Sequence, residues 1–259
     1  MTIKIRKDVP SGTISIDRPD RRNALARETI RELKSAIEDF QQERTVRAII
    51  LTGVGDMFSA GTDLQQVQET AASGQQNEQW HTDAQEFQDL IEYMLRFPKP
   101  IIASINGPVV GSALALVLAC DVVVASERAS LATPEPRLGL CSGLAAALLA
   151  FRIGAGKASY ILTTGQTFDA NRCLESGLFH EVVADHLAWA RCHELAGEIA
   201  NGSRQSFHLI KQLLNETIGE TLFTYLTIGS AHTASARMSE EATEGISAFL
   251  EKREPKWEP

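Results

Sequence analysis

The acid with the most restricted backbone in this sequence is Glu135, which lies between Pro134 and Pro136. Each proline fixes its own backbone angle φ, so a carboxylate between two prolines is held in place. A carboxylate held in this way can serve as a positioned general acid or base. The residues leave two alternatives open, a solvated loop acid and an ion-pair partner for Arg137.

A glycine-containing loop lies before the most apolar part of the chain. Gly107 and Gly111 lead into a helix that is expected to begin near Ser112. The first N–H groups of a helix have no internal partners and lie at its positive end. They therefore suit a developing negative charge on a bound molecule. Taken alone, the segment is better explained as a buried core helix, and Asp121 at its end as a structural residue.

A second candidate for ligand contact is the segment 58–64, Phe-Ser-Ala-Gly-Thr-Asp-Leu. Its small residues Ser59, Ala60 and Gly61 allow a ligand to approach the backbone closely. A tight turn between a strand and a helix, capped by Asp63, explains the same residues without a ligand.

Other catalytic and cofactor motifs are missing from the sequence. Without a G-x-S-x-G motif, Ser112 and Ser142 are poor nucleophile candidates, and no H-E-x-x-H or C-x-x-C spacing predicts a metal site. Gly53 and Gly55 match the start of a dinucleotide fingerprint, but Phe58 occupies the third glycine position. A nicotinamide-dependent oxidoreductase is therefore the weakest hypothesis.

Composition limits the class of protein. The chain has 259 residues, 44% apolar, with 25 basic and 33 acidic side chains and a net charge of −8. Such a balance builds a core and excludes a disordered chain. The acidic surplus argues against nucleic acid and anionic membranes as partners, although a local basic cluster could still bind an anionic small molecule.

The sequence also predicts a cytoplasmic protein. The first twelve residues lack the apolar region of a secretory signal, and the apolar stretch 112–120 is too short to span a bilayer. Four widely spaced cysteines are typical of buried thiols in a reducing compartment; they are Cys120, Cys141, Cys173 and Cys192.

Strand and helix patterns alternate along the chain, which predicts an α/β fold. Strands are expected at 13–16, 47–52, 101–105, 122–125 and 180–183. Helices are expected at 23–43, 64–96 with a polar interruption at 71–76, 112–119, 144–151, 203–239 and 240–252. Because strand patterns stop near residue 200, we expect an α/β core over 1–197 and a helical region over 198–259.

Five segments in order along the chain resemble the enoyl-CoA hydratase/isomerase (crotonase) superfamily. They are 14–25, 50–64, 99–108 with the following helix, Pro134-Glu135, and 244–255. The resemblance implies a spiral of repeated ββα units with a C-terminal helical trimerisation region, often stacked as a dimer of trimers. It implies an acyl-CoA thioester as substrate, with no metal and no cofactor besides the coenzyme A of the substrate.

The resemblance also implies an oxyanion hole, in which the N–H groups of Ala60 and Ser112 stabilise a thioester enolate. Hydratases of the family use two glutamates, and this chain matches only the second, Glu135, with Ala115 at the first position. Ser142 replaces the usual proline beside Gly143. A single glutamate resembles the enoyl-CoA isomerases, in which it moves a proton between C2 and C4. Isomerisation is therefore favoured, with hydration or non-catalytic acyl-CoA binding as alternatives.

Further positions are expected to contact the substrate. Phe249 and Lys252 are implied to reach the ligand of a neighbouring subunit. The segment 78–90 lines the acyl pocket in relatives, and a second acid could enter from Glu78, Asp83 or Glu86. The complete predicted substrate-binding set is Arg22, Ser59, Gly61, Asp63, Gly111, Gly143, Phe249 and Lys252.

Overall fold

The computed structural model describes residues 1–74 and 76–257. Its strands form two sheets. They are β1 (Ile3–Asp8), β2 (Ser11–Ile16), β3 (Ala48–Gly53), β4 (Ile101–Ile105), β5 (Val109–Val110), β6 (Val122–Ser126), β7 (Ser130–Ala132), β8 (Phe168–Asp169) and β9 (Glu181–Val183).

Helices cover and connect these strands. They are α1 (Arg27–Gln42), α2 (Leu64–Ala71), α3 (Gln76–Arg96), α4 (Ala113–Ala119), α5 (Gly143–Ile153), α6 (Ala155–Thr164), α7 (Ala170–Glu175), α8 (Ala188–Ala200), α9 (Arg204–Gln212), α10 (Glu220–Arg237) and α11 (Glu240–Glu251). Short 3-10 turns lie at Pro19–Arg21, Glu135–Leu138 and Asp185–Leu187, and a π-helical turn at Leu213–Ile218.

The larger sheet has six strands in the order β1-β2-β3-β4-β6-β9. The β1–β2 pair is antiparallel and every other neighbouring pair is parallel. The smaller sheet has the order β5-β7-β8. Buried strands of a parallel sheet are apolar on both faces, and all six residues of β3 are buried.

A strand–strand–helix unit repeats along the chain. In one unit β4 joins the larger sheet, β5 joins the smaller sheet, and α4 follows; β6, β7 and α5 repeat this order. In the preceding unit, β3 is followed by a single bridge from Ser59 to Val109 of β5, before α2 begins. The expected spiral of ββα units is therefore present, and each turn brings one loop to the same side of the molecule.

Several sequence-based expectations differ from the structure: the short strands β5, β7 and β8 and the helices α6, α7 and α8 were not predicted, and three further differences have a clear cause. Strand β1 was missed because its apolar alternation covers only Ile3 and Ile5 and then gives way to charged residues; only Ile3 is buried. The helix expected over 23–43 begins at Arg27, since Arg22 and Asn23 have positive φ. The helix expected over 203–239 is divided by the π-helical turn and Gly219. The expected interruption at 71–76 separates α2 from α3; Gln75 lies outside the described residues.

The C-terminal helices pack on the spiral of their own chain. Helix α10 lies against α3 and α5. The Lys211 ammonium on α9 lies 2.7 Å from Asp121 Oδ2, and the same oxygen accepts a hydrogen bond from the N–H of Ile101. Asp121 is thus a structural residue that joins α9 to the start of β4. Helix α8 runs through the expected boundary at 197/198, and that division remains a prediction.

Within the described residues, no helix is both long enough and apolar enough to cross a membrane.

Candidate active site

The loops that end the ββα units enclose a cavity of about 250 Å³. The spiral contributes Leu25, Thr62, Ser112 and Glu135 to its lining, and α10 contributes Thr233 and Arg237. Helix α10 therefore closes the cavity of its own chain. Ala115, at the position where the resemblance places a second glutamate, is fully buried and presents only a methyl group there.

Asn23 anchors the loop that leads into the cavity. Its side-chain amide donates hydrogen bonds to the carbonyl oxygens of Val54 (2.9 Å) and Met57 (2.7 Å), and its carbonyl oxygen accepts from the N–H of Arg18 (3.0 Å). Ser59 Oγ in turn donates to the backbone oxygen of Asn23 (2.7 Å). A fully buried side chain with every polar group paired fixes this loop rigidly.

The structure argues against Ala60 as an oxyanion donor. Its N–H already donates to the carbonyl oxygen of Arg22, with an N···O distance of 2.9 Å. Over the part of the chain that the structure describes, no acceptor is assigned to the N–H groups of Thr62 and Ser112. The hydroxyl oxygens of these two residues lie 2.9 Å apart, so the two backbone segments meet at one point of the cavity.

Gly61 permits this close approach of two backbone segments. Its φ is +80°, in the left-handed region that favours glycine, and a Cβ there would overlap the carbonyl oxygen of Val110. The same Cβ would lie 3.2 Å from the nitrogen of Ser112. Gly61 is thus a spacer between the two loops.

Glu135 points its carboxyl group at Gly111. The backbone of Gly111 has φ +60°, and a Cβ at this position would overlap Oε1 of Glu135. Because Gly111 directly precedes Ser112, the carboxyl group lies beside the N–H that begins the turn into α4. The acid and a candidate oxyanion donor are therefore adjacent.

Burial sets the protonation of Glu135. The residue is 9% exposed, its Oε1 accepts a hydrogen bond from Ser142 Oγ, and its Oε2 has no partner among the described residues. Burial raises the pKa of Glu135 above the ordinary 4.5, and the hydrogen bond from Ser142 opposes part of that rise. Arg137 does not pair with Glu135; its guanidinium donates to the carbonyl oxygen of Thr164.

Two other carboxylates line the cavity, and arginines hold both. Asp63 caps α2 and lies 2.8 Å from a guanidinium nitrogen of Arg18. Asp83, one of the acids expected on segment 78–90, accepts from Arg27 at both of its oxygens (2.6 and 2.9 Å). Glu86 is paired with Arg31. Glu135 is therefore the described carboxyl group at the cavity with an unpaired oxygen.

The predicted substrate-binding residues divide into two groups. Arg22, Asp63, Gly111, Gly143 and Phe249 line the cavity. Ser59 and Gly61 support its walls, and Lys252 ends α11 outside the lining. Phe249 lines the cavity of its own chain and is 55% exposed, and its contact with the ligand of a neighbouring subunit remains a prediction.

Sequence reasoning missed the contribution of α10. Thr233 Oγ1 accepts a hydrogen bond from the N–H of Gly143 (3.1 Å), and Arg237, one turn later, also lines the cavity. Nothing in the local pattern of α10 marks these two residues, because their role depends on packing against a distant loop. Thr62 lies in segment 58–64, but the sequence analysis did not predict its N–H as an oxyanion donor.

The four cysteines are free thiols, and three of them are buried; Cys141 is half-buried and lines the cavity. Across residues 1–74 and 76–257, no cluster of three or more His, Cys, Asp or Glu side chains could hold a metal ion.

Comparison with known proteins gives matches over nearly the whole chain. A family model described as enoyl-CoA hydratase/isomerase matches residues 11–259. The mitochondrial enoyl-CoA hydratase domain-containing protein 3 of Rattus norvegicus is 31% identical over 247 residues, covering 94% of this chain and 80% of the rat protein. The 1,2-epoxyphenylacetyl-CoA isomerase of Escherichia coli K12 is 28% identical over 246 residues, covering 95% and 94%.

Solved structures share the fold as well. The crystal structure of an enoyl-CoA hydratase/isomerase from Xanthobacter autotrophicus Py2 matches with a TM-score of 0.88 and 25% identity, covering 97% of this chain and 93% of that one. Sequence and architecture thus agree over the same residues, and the chain belongs to the enoyl-CoA hydratase/isomerase family.

Proposed function

We propose that the protein binds an acyl-CoA thioester and moves its double bond, with Glu135 as the single acid and base. The observation that supports this most directly is the unpaired oxygen of Glu135 in a cavity whose other described carboxylates are held by arginine. A relative named as an isomerase of a CoA thioester is consistent with this reaction class.

The proposed steps conserve protons and electrons. The Glu135 carboxylate removes a proton from C2 of a 3-enoyl thioester, and the electron pair moves onto the thioester oxygen to form a dienolate. The N–H groups of Thr62 and Ser112 stabilise that oxygen. The neutral Glu135 carboxyl then returns the proton to C4, which leaves the double bond between C2 and C3. Ala115 supplies no second acid for the addition of water.

Replacing Glu135 with glutamine is expected to lower kcat for isomerisation of trans-3-enoyl-CoA by about 10²–10⁴-fold, because the amide cannot accept the C2 proton. A spectrophotometric assay of the conjugated product measures this. Glu127→Gln, the same change at an exposed site, is the matched control and should keep the parent rate. Equal rates for Glu135→Gln and the parent would exclude Glu135 as the base.

Measuring hydration of trans-2-enoyl-CoA and binding of CoA thioesters beside isomerisation separates the alternatives. Relatives named as hydratases make water addition to trans-2-enoyl-CoA the second candidate. Rapid hydration without isomerisation would replace our proposal with that one. Binding of coenzyme A thioesters without turnover of either substrate would indicate a non-catalytic acyl-CoA-binding protein.

A buried base is expected to lower the stability of the fold at neutral pH. Because the pKa of Glu135 is raised on folding, the folded chain holds this proton to higher pH than the unfolded chain does. Stability is therefore lost as the pH rises from the ordinary value of 4.5 through the folded pKa. Glu135→Gln should melt at a higher temperature than the parent at pH 8, and the difference should vanish near pH 4.

Melting temperatures from pH 4 to pH 8 measure this difference, again with Glu127→Gln as control. A difference that is the same at all pH values would show that Glu135 has the same pKa in the folded and unfolded chains, contrary to the rise that burial predicts.

The choice between Thr62 and Ala60 as oxyanion donor can be tested by replacing single backbone amides with esters. An ester at Thr62 or Ser112 removes a free N–H and should lower kcat by about 10²–10³-fold. An ester at Ala60 removes the hydrogen bond to Arg22 and should lower stability by about 1 kcal/mol, with kcat within a few-fold of the parent. A larger loss of kcat at Ala60 than at Thr62 would restore Ala60 as the donor.

We also propose that copies of the chain associate as a homotrimer or a dimer of trimers through α9 and the π-helical turn. This stretch exposes large apolar side chains, which are Leu209, Ile210, Leu213, Leu214 and Ile218. Light scattering should give a trimeric or hexameric mass for the parent and for the control Gln68→Glu at an exposed position of α2, and a smaller mass for the double variant Leu213→Glu, Ile218→Glu. A monomeric parent would contradict this.

A further inference from the structure

Three of the charged side chains that line the cavity of Glu135 come from three different helices. Arg27 begins α1, Asp83 lies on α3, and Arg237 ends α10. Their side chains are 22%, 11% and 10% exposed. Such burial is unusual for charged residues, which are rarely buried without full pairing.

One carboxylate is shared unequally between the two guanidinium groups. Arg27 donates from Nε to Asp83 Oδ1 (2.6 Å) and from Nη2 to Asp83 Oδ2 (2.9 Å). Gln79 also donates to Oδ1 (2.8 Å). Asp83 is therefore bound on both oxygens by Arg27, which forms the two-pronged pair that this geometry favours.

Arg237 forms a loose ion pair with Asp83 but, among the described residues, no assigned hydrogen bond. Its Nη1 lies 3.8 Å from Asp83 Oδ2, beyond hydrogen-bond distance, and no hydrogen bond from its guanidinium is assigned within the described residues. Burial lowers the pKa of Arg237, the carboxylate of Asp83 opposes that shift, and the guanidinium of Arg27 adds to it. A buried cation with unused donors is costly to keep unless an anion joins it.

The position of Arg237 relative to the acid follows from α10. Thr233 Oγ1 accepts a hydrogen bond from the N–H of Gly143. The preceding residue, Ser142, donates its hydroxyl to Glu135. Arg237 is four residues beyond Thr233, and residues at this spacing lie on one face of a helix, about 5–6 Å apart. Arg237 is thus one helical turn beyond Thr233, and it lines the same cavity as Glu135.

We propose that Arg237 binds a carboxylate at the far end of the acyl chain, so that the preferred substrates are CoA thioesters of dicarboxylic acids. A guanidinium and a carboxylate form two parallel hydrogen bonds, which would satisfy the donors that Asp83 leaves unused. A methyl-ended chain of the same length would leave these donors without a hydrogen-bond acceptor. This inference rests on the proposed function for its acyl-CoA ligand and adds the class of acyl group.

Straight-chain thioesters matched in length test the proposal. Saturated acyl-CoA probes of six, eight and ten carbons, ending in a carboxylate, a primary amide or a methyl group, are titrated by calorimetry. At the best length, the parent should bind the carboxylate-ended probe about 10–100-fold more tightly than the other two. Arg237→Met should lose this preference, Arg237→Lys should keep part of it, and Arg44→Met, at an exposed position, should retain it in full.

The 3-unsaturated forms of the same probes are then assayed for isomerisation. Binding preference for the carboxylate without isomerisation would overturn the proposed function and leave this inference standing. Equal affinity for carboxylate-ended and methyl-ended probes in the parent would overturn the inference. So would an unchanged preference in Arg237→Met, or equal affinity for the amide-ended and carboxylate-ended probes.

Discussion

The contact between the Glu135 carboxyl group and the bare backbone of Gly111 determines the geometry of this site. A side chain at position 111 would occupy the place of Oε1, so the absence of a Cβ is what lets a buried carboxyl lie beside the turn into α4. The ββα spiral supplies both partners, because Gly111 follows β5 and Glu135 follows β7, and β5 and β7 are neighbours in the smaller sheet. The chemistry therefore depends on the register of two very short strands.

The carboxyl groups around this contact differ in their hydrogen-bond and ion-pair partners. The carboxylates of Asp63 and Asp83 are each held by an arginine, whose guanidinium occupies oxygens that a substrate would otherwise meet. Among the described side chains, Glu135 accepts a hydrogen bond from Ser142 alone, and burial raises its pKa. Carboxyl groups with different surroundings in one cavity can take different roles, and this difference is the basis for proposing Glu135 as the acid and base.

The sequence predicted most of the framework and part of the site. Strand β4 was identified at its observed bounds, because a continuous apolar run between a proline and an asparagine–glycine pair is typical of a buried strand. Glu135 was identified from its flanking prolines, and the loop 58–64 from its small residues. The free N–H of that loop could not be identified, since the hydrogen bond between Ala60 and Arg22 joins residues far apart in the sequence. Arg237 was missed for a similar reason: an arginine in the last turn of a helix is ordinarily a surface residue that stabilises the helix dipole.

The central claim is that one buried carboxyl carries the proton from C2 to C4. It is tested most directly with trans-3-enoyl-CoA that bears deuterium at C2, isomerised in ordinary water in a single turnover and followed by NMR. We predict that part of the deuterium appears at C4 of the product, because the acid that removes it is buried and returns it before exchange with water is complete. A product that carries no deuterium at C4, or a hydrated product in place of the isomer, would contradict a single shuttling carboxyl at Glu135.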